Sequence, residues 1–551
     1  MSFPYVPPVG CSGPWAKVIL KVAFYNADPH SYLDGITFAY ISIDGVPLYS
    51  GGGQDNDVPT HWRVERDVTD YSAILRAAGT GVLEIKGSPR YLPRFNSPYY
   101  ASATLLFYPA NAENRARRVP DAVYPLTTAG WQDVRTPDER IDTSFTLPRN
   151  VERAYLDVMA HPRYRDDVIP YVNYGNDLFW FTCMPDGTME AFPELTSRLA
   201  IGAKRLGLDG WEPPQGCRGG SFREVQVSID GQPAGIAPVF PRVYPQFNAV
   251  WGSAPLFQPA PAPQVLNFMP YRVDLTPFAG LLSDGAPHTV TLAVASGGSI
   301  VDFHLSGTLL VYRDAGTAQI VGQVTRNTLS GQPPAPTVTS TLARNATGEV
   351  SGEVRTTSSR SYAIEGYIDT SRGRIRSTVE RSVRFKNLLA PYAYDAPDDD
   401  ADAYRLGVDL KSTVSGTSRR YLGDDLIAED REYVSYPLML AYRYLSADLQ
   451  QAFVQRTERR RPGVTRYYTR LDHEVDLAYA PDYSGADARW QGYQHYLFRD
   501  SYSSCYRTDL ATQDGMLTDY QQGIDCPGGV NRLYWASHPD GSPDGLGWAE
   551  R

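Results

Sequence analysis

One pattern of turn residues occurs twice in this 551-residue chain and constrains its fold more than any other feature. In the first copy, AYISIDGVPLYSG (39–51) precedes RDVTDYSAILRAAGTGVLEI (66–85). In the second copy, VQVSIDGQPAG (225–235) precedes YRVDLTPFAGLLSDGAPHTVTLAV (271–294). Each copy places Ser-Ile-Asp-Gly, a hairpin signal, ahead of an Asp-x-Thr turn and an alternating strand. The repeat predicts two related antiparallel β-sandwiches.

The composition agrees with a chain built from strands and turns. It contains 38 Tyr, 47 Gly and 43 Pro. Tyr suits half-buried strands, whereas Gly and Pro suit turns. We therefore predict an all-β fold with two tandem antiparallel β-sandwich (jelly-roll) domains and a C-terminal β-rich domain.

The predicted boundaries follow changes in composition along the chain. The first sandwich is expected over residues 1–126 and the second over 127–315. A polar, Pro-bearing linker is expected over 316–340, and the C-terminal β-rich region over 341–551. The Tyr- and Asp-rich tail, 475–551, is predicted to consist mainly of loops.

Alternation within one strand of the second copy predicts which way its side chains point. Val225, Val227 and Ile229 share the core face, and Glu224 lies on the other face. That other face meets either water or the first sandwich. Acids that recur in both copies, Asp44 with Asp230 and Asp67 with Asp274, are interpreted as turn and cap residues.

The charge of the chain argues against two classes of partner. The net charge is −10 without a block of Lys or Arg, so we expect neither nucleic-acid nor membrane binding. The start of the sequence lacks the apolar stretch of a signal peptide. We expect a mature, secreted or periplasmic chain from which the signal has been removed, the alternative being a cytosolic protein.

The five cysteines allow two disulfides. Cys505 with Cys526 and Cys183 with Cys217 are the pairs that lie near one another in the sequence, which leaves Cys11 over. This arrangement fits a secreted protein, and five free thiols are the alternative. CxxC and HExxH motifs are absent from the sequence, so we expect no metal ion and no cofactor.

Five segments carry a resemblance to a known family. They are THWRVERDVTDYSAIL (60–75), GNDLFWF (175–181), GGSFREVQVSIDGQPAG (219–235), PVFPRVYPQFNAVW (238–251) and PYRVDLTPFAGLLSDGAPHTVTLAV (270–294). Because these segments occur in this order, the chain resembles the peptide N-glycosidase A amidase family and, more distantly, the peptide N-glycosidase F family. The resemblance implies a metal-independent hydrolase that cleaves the amide between an Asn side chain and the proximal GlcNAc. It releases the intact glycan as a glycosylamine and converts Asn to Asp.

The resemblance also implies a partner. The expected substrate is an N-glycoprotein or N-glycopeptide with a chitobiose core, and the enzyme is expected to be a monomer.

The resemblance implies two catalytic carboxyl groups. Asp34 occupies the position of the principal catalytic Asp, before the first hairpin turn. In the peptide N-glycosidase F family the second acid is a Glu just before a Phe-Arg strand start, where this chain has Gly219. Glu224 is the nearest acid and is therefore the candidate partner, and Arg223 is a candidate to hold an oxyanion or a carboxylate.

Sugar binding is expected to involve aromatic side chains in the matched segments. Trp62, Trp180 and Trp251 are candidates to stack on pyranose rings. Asp177 belongs to the family's acidic-x-Phe-Trp motif, although Leu178 replaces a second acid that is usual there. Two other functions stay open: a glycoside hydrolase acting within N-glycans, and a sugar-binding β-sandwich without catalysis.

Overall fold

The computed structural model describes residues 1–26, 36–52, 60–87, 99–111, 116, 118–162, 180–195, 219–242, 263–264, 266–296, 303–332, 335–394, 404–443, 446–480, 489–501, 504–513 and 516–531. These residues form antiparallel sheets, so the predicted all-β fold is confirmed. Short helices link the strands: α1 (Ser72–Leu75), α2 (Thr188–Ala191) and 3-10 turns at Thr69–Tyr71, Trp180–Thr182, Thr276–Phe278, Leu281–Ser283 and Pro527–Gly529. In this part of the chain no helix has the length and apolar character needed to cross a membrane.

The first sandwich packs a four-stranded sheet, ordered β1-β6-β3-β4, against a three-stranded sheet, ordered β5-β2-β7. Apolar residues of both sheets, among them Leu20, Val22 and Ile41, form its buried core. The strands are β1 (Ser2–Tyr5), β2 (Trp15–Asn26), β3 (Ile36–Ile43), β4 (Val46–Gly51), β5 (Thr60–Asp67), β6 (Gly79–Gly87) and β7 (Tyr99–Pro109).

The second sandwich repeats this arrangement. One sheet has the order β10-β15-β12-β13, and the other has the order β14-β11-β16-β8, with β9 also paired to β16. The strands are β8 (Ala122–Pro125), β9 (Gln132–Val134), β10 (Arg140–Thr146), β11 (Val151–Pro162), β12 (Glu224–Ile229), β13 (Gln232–Pro238), β14 (Tyr271–Asp274), β15 (Pro287–Ala295) and β16 (Phe303–Arg313).

The repeated Ser-Ile-Asp-Gly turns have the same geometry in both sandwiches. Asp44 and Asp230 adopt left-handed backbone conformations, with φ of 48° and 50°. In each case the carboxylate accepts a hydrogen bond from a backbone N–H of the neighbouring strand, Thr80 or Thr289, at 2.8 Å. Asp tolerates this conformation better than most residues, and its short side chain can bond locally. The structural role predicted for this pair is confirmed.

The repeated Asp-x-Thr turns are equivalent as well. Asp67 Oδ1 accepts the N–H of Thr69 at 2.9 Å, and Asp274 Oδ1 accepts the N–H of Thr276 at 3.0 Å. Each contact satisfies a free N–H at the start of a 3-10 turn. The predicted capping role of both acids is confirmed.

The C-terminal part forms one large antiparallel sheet with the order β17-β21-β22-β23-β24-β25-β26-β27-β28-β29. Its first strand lies in the segment predicted as a linker, and its last four strands include much of the tail predicted as loops. The strands are β17 (Val321–Asn327), β18 (Thr337–Ser340), β19 (Ala343–Arg344), β20 (Val350–Ser351), β21 (Val354–Thr370), β22 (Gly373–Ala393), β23 (Tyr404–Leu422), β24 (Asp425–Arg443), β25 (Ser446–Arg461), β26 (Val464–Ala480), β27 (Arg489–Asp500), β28 (Cys505–Gln513) and β29 (Met516–Gln522).

For the described residues of the tail, most of which lie in strands, the loop prediction was wrong because these strands alternate between two environments. Val475 is fully buried, whereas its neighbours Glu474 and Asp476 are exposed on the opposite face. Asp is frequent on that exposed face, and because Asp is uncommon in strands, its presence made the tail resemble loops in the sequence. The predicted disulfide between Cys505 and Cys526 is present at the edge of this sheet.

One face of the C-terminal sheet packs against the second sandwich, and the two share a hydrophobic core. Phe222 contacts Phe385 with ring centroids 5.4 Å apart, and Phe240 stacks on Tyr436 at 5.4 Å. The backbones also approach closely, because a Cβ added at Gly366 would lie 2.1 Å from the carbonyl oxygen of Pro277. The sheet is therefore a continuation of the sandwich core rather than a separate body on a linker.

Candidate functional site

The strands of both sheets in the second sandwich end together on one side, which we call the loop end. In one sheet Glu224, at the start of β12, lies opposite Pro238 and Ala295, the last residues of β13 and β15. In the other sheet Pro162 lies opposite Phe303. Loops at the ends of a sandwich are common positions for binding residues because the strands hold them rigidly.

The first sandwich meets the second beside this loop end. Ser50, near the end of β4, accepts the backbone N–H of Phe268 at 2.8 Å. The Tyr49 hydroxyl donates to the carbonyl of Leu266 at 2.7 Å, and Arg66 Nη1 donates to the carbonyl of Phe268 at 3.2 Å. Since Ala39 of β3 pairs with Gly51, the start of β3 lies near this junction.

The structure does not describe the side chains of four predicted site residues. Asp34, Asp177 and Trp251 lie outside the described residues. The backbone of Trp62 belongs to β5, where it pairs with Phe24, but its side chain is not among those that the structure describes. In sequence, Asp34 comes two residues before β3, whose start lies near the junction of the sandwiches. The site roles of these four residues stay predictions.

Glu224 is buried at the loop end, with 2% of its surface exposed. As predicted, Val225, Val227 and Ile229 face the core and Glu224 faces the other way. At Glu224 that face meets the C-terminal sheet rather than the first sandwich, and Glu224 forms a close ion pair with Arg360 of β21. Farther along the same face, Gln226 and Ser228 are half-buried.

The surroundings of Glu224 act on its pKa in opposite directions. Burial raises the pKa of the carboxyl group, whereas the positive charge of Arg360 and a hydrogen bond from Gln226 at 3.3 Å lower it. Burial dominates, so the pKa lies above its usual value. A raised pKa favours the protonated form of the carboxyl group, which is the form that can donate a proton as a general acid.

Arg223 is buried at the same end and binds backbone carbonyl groups. Its Nη1 donates to Gly220 at 2.9 Å, to Phe222 at 2.7 Å and to Ser296 at 3.4 Å. The guanidinium thereby ties the start of β12 to the residue after β15. In this structure it organises the loop-end backbone, and the predicted contact with an oxyanion stays a prediction.

Trp180 lies between the second sandwich and the C-terminal sheet with 2% of its surface exposed. Its ring is 6.1 Å from Phe181 and 6.2 Å from Phe385. Asn387 Nδ2 donates to the carbonyl of Phe181 at 2.5 Å and fixes this segment to the sheet. The ring packs in the core here and presents no open face to a sugar. Sugar stacking by Trp180 would require the ring to be uncovered.

Two histidines at the loop end, His161 and His304, lie close together, although the sequence indicated a role in the site for neither of them. His161 lies opposite His304 across β11 and β16, with ring centroids 4.8 Å apart. Asp133 Oδ1 lies 2.7 Å from His304 Nδ1, and His161 stacks on Phe268 at 4.7 Å. A carboxylate at this distance fixes the orientation of the imidazole. These contacts join residues far apart in sequence, so no local signal reveals them.

Arg242 is a further residue that the sequence did not indicate. Its guanidinium lies 5.0 Å from the ring of Phe268 and 5.8 Å from that of Phe240, and Nη2 donates to Gln264 at 3.2 Å. Burial lowers its pKa to about 10. The residue adds a buried positive charge where both sandwiches and the C-terminal sheet meet.

The described residues contain no group of three or more His, Cys, Asp or Glu side chains arranged to hold a metal ion. Cys183 is disulfide-bonded, while Cys217 lies outside the described residues, and Cys11 is free. The ionisable groups that the described residues place at the loop end are carboxyl, imidazole and guanidinium groups.

Comparison with known proteins identifies the family of the chain. The profile of the family "Peptide N-acetyl-beta-D-glucosaminyl asparaginase amidase A" matches residues 1–326, which include both sandwiches. A peptide-N4-(N-acetyl-beta-glucosaminyl)asparagine amidase A from Prunus dulcis is 24% identical over 348 residues, covering 60% of this chain and 53% of the relative. The chain thus spans about half the length of that relative.

Two solved structures are similar at lower identity. One is a peptide-N(4)-(N-acetyl-beta-D-glucosaminyl) asparagine amidase, with 13% identity, a TM-score of 0.32, and coverage of 56% of this chain and 89% of that one. The other is PNGase F, a glycosylasparaginase from Flavobacterium meningosepticum, with 13% identity, a TM-score of 0.32, and coverage of 57% and 89%. Because its family profile matches more than half of the chain, this protein belongs to the peptide N-acetyl-beta-D-glucosaminyl asparaginase amidase A family.

Proposed function

We propose that this protein removes N-linked glycans by hydrolysing the side-chain amide that joins Asn to the proximal GlcNAc. The main support for the proposal is the family match over residues 1–326, which covers both sandwiches and the loop end of the second. The relative from Prunus dulcis is named as an amidase of this kind. The substrate is an N-glycoprotein or N-glycopeptide.

The reaction needs a base for water, stabilisation of the oxyanion and a proton for the leaving nitrogen. Water adds to the amide carbonyl carbon, the carbon–nitrogen bond breaks, and the nitrogen takes up a proton as the glycosylamine leaves. The peptide retains the new carboxylate, so Asn becomes Asp. Two carboxyl groups with different pKa values can divide the proton transfers. We assign Asp34 as the principal catalytic residue and Glu224, whose pKa burial raises, as its partner.

Sugar contacts and cellular location belong to the same proposal. Trp62, Trp251 and Asp177 are assigned to substrate binding on the basis of the family segments that contain them. The Cys505–Cys526 disulfide supports a location outside the cytosol, because such bonds persist in oxidising compartments.

The test is incubation with a defined N-glycopeptide across about pH 3 to 8, followed by mass analysis of the peptide. We expect Asn to be converted to Asp with release of the whole glycan. A peptide that keeps one GlcNAc indicates a glycoside hydrolase instead. An intact glycopeptide that binds the protein indicates a sugar-binding protein. Either of these results overturns the proposal.

A further inference from the structure

The C-terminal sheet contributes a charged side chain to the loop end. Arg360 of β21 pairs with Glu224, and the two residues are 136 positions apart in the chain. Arg360 also lies beyond residues 1–326, which the family profile matches. The contact therefore joins a candidate catalytic carboxyl to a part of the chain outside the matched region.

Glu224 is the hydrogen-bonding partner of Arg360 among the described residues. Two other nitrogens of the guanidinium, Nε and Nη1, are buried without a hydrogen-bond partner there. The side chains of Glu224 and Arg360 are 3% and 15% exposed. Burying charges is costly, and separating a buried pair leaves an uncompensated charge, so each group restrains the other. The guanidinium of Arg360 therefore directs its hydrogen bond to the carboxylate of Glu224.

The other groups around Glu224 are few. Gln226 donates to it from the same strand. From the C-terminal sheet, Tyr362 is also close enough to interact electrostatically with both Glu224 and Arg360, and Arg381 lies beside Tyr362. Arg360 is the one positive charge in direct contact with the carboxylate among the described residues.

We propose that Arg360 is a positioning residue for Glu224, and that the C-terminal sheet thereby completes the site at the loop end. The proposal rests on the function proposed above. It gives residues 341–551 a role in turnover in addition to the packing of Phe385 and Tyr436 against the second sandwich.

A second ion pair across the same interface provides a control. Arg372, in the turn between β21 and β22, pairs with the buried Glu152 of the second sandwich. Glu152 lies at the start of β11, and the ten residues to Pro162 at the loop end span roughly 33 Å. Arg372→Gln therefore removes an interface ion pair far from the loop end. Glu152 keeps a second partner, Arg118, at 2.8 Å, so the fold tolerates the change.

The first experiment compares Arg360→Gln, Arg360→Lys and Arg372→Gln in glycopeptide hydrolysis, with the folded fraction of each full-length variant measured by near-UV circular dichroism. We expect Arg360→Gln to lower kcat about tenfold or more with KM changed by less than about threefold. Arg360→Lys should recover most of kcat, and Arg372→Gln should stay within about twofold of the parent. Equal losses of kcat in Arg360→Gln and Arg372→Gln overturn the proposal.

The second experiment does not depend on turnover. Protein labelled with ¹³C at the glutamate carboxyl groups is titrated by NMR, and Glu224→Gln identifies the signal of Glu224. Loss of the Arg360 charge leaves only the Gln226 hydrogen bond to oppose burial, so the pKa of Glu224 should rise in Arg360→Gln and not in Arg372→Gln. The limb of the pH–rate profile that Glu224 controls should move to higher pH with it.

The two readouts separate two kinds of failure. If the parent protein leaves the glycopeptide unchanged but the Glu224 titration shifts only in Arg360→Gln, the proposed function fails while Arg360 still controls this carboxyl group. If the titration is the same in all variants, the positioning role of Arg360 is wrong whatever the activity.

Discussion

Arg272 binds both carboxylate oxygens of Asp157, with Nε 2.7 Å from Oδ1 and Nη2 2.9 Å from Oδ2. The two residues lie opposite each other on β14 and β11 of the second sandwich. The third nitrogen, Nη1, donates to Asp70 of the first sandwich at 2.7 Å. The Tyr71 hydroxyl also donates to Asp157, at 2.9 Å. Because Asp157 is buried, this network joins the sandwiches where water screens little of the interaction.

Arg272→Met is expected to destabilise the protein strongly. It leaves the buried Asp157 with the Tyr71 hydroxyl and no positive partner, which costs about 3 kcal/mol or more in the free energy of unfolding. Arg140→Met is the control, since Arg140 also binds an aspartate, Asp142, at 2.7 Å, but both side chains are largely exposed. Its effect should be below about 1 kcal/mol. Urea unfolding measures both, and similar losses would contradict a special role for the buried pair.

Asp44→Ala is expected to destabilise the first sandwich by about 1–2 kcal/mol. Alanine loses the bond to the Thr80 N–H and disfavours a backbone φ of 48°. Asp44→Asn should cost much less, because Asn adopts this conformation readily and keeps an acceptor oxygen. Thermal unfolding of the two variants checks the difference. Equal melting temperatures would show that the turn does not depend on this side chain.

Stability should depend on pH through His288. Burial lowers the pKa of this imidazole, but hydrogen bonds to Asp230 and Asp284, at 2.7 and 2.9 Å, outweigh burial and raise the pKa above its usual value. A raised pKa in the folded state adds stability that is complete below the unfolded pKa and is lost as the pH rises through the folded pKa.

The difference in unfolding free energy between the parent and His288→Gln should therefore be larger at about pH 5.5 than at about pH 9. Urea unfolding at both pH values gives this difference. A difference that grows with pH would mean that His288 is neutral in the folded protein.

Asp34→Asn is expected to lower turnover of an N-glycopeptide by about 100-fold or more, because the amide cannot exchange a proton as a carboxyl group does. Asp44→Asn is the control: it makes the same change in an aspartate with a turn role and should keep most of the activity. Release of glycan per folded protein is the measurement. Full activity of Asp34→Asn would remove Asp34 from the principal catalytic position.

The repeated turns made the fold readable from the sequence. Asp44 with Asp230, and Asp67 with Asp274, form equivalent hydrogen bonds in the two sandwiches. The bonds of Asp67 and Asp274 reach backbone two residues away, so the local sequence specifies them. Those of Asp44 and Asp230 reach a neighbouring strand 36 and 59 residues away, but the left-handed turn that aims each carboxylate is a local feature of Ser-Ile-Asp-Gly. Alternation likewise identified the core face of β12, because successive side chains of a strand must point to opposite sides.

The sequence by itself thus determined the all-β class and the duplication of the sandwich, and it suggested the Cys505–Cys526 bond with free thiols as the alternative. Only the tertiary structure decided what lies against Glu224 at the start of β12. It set Arg360 against Glu224, Phe385 against Trp180 and His161 against His304. These contacts depend on how whole sheets dock, and docking is governed by the summed burial of many apolar side chains. No local pattern specifies which distant residue then lies beside a given carboxyl group.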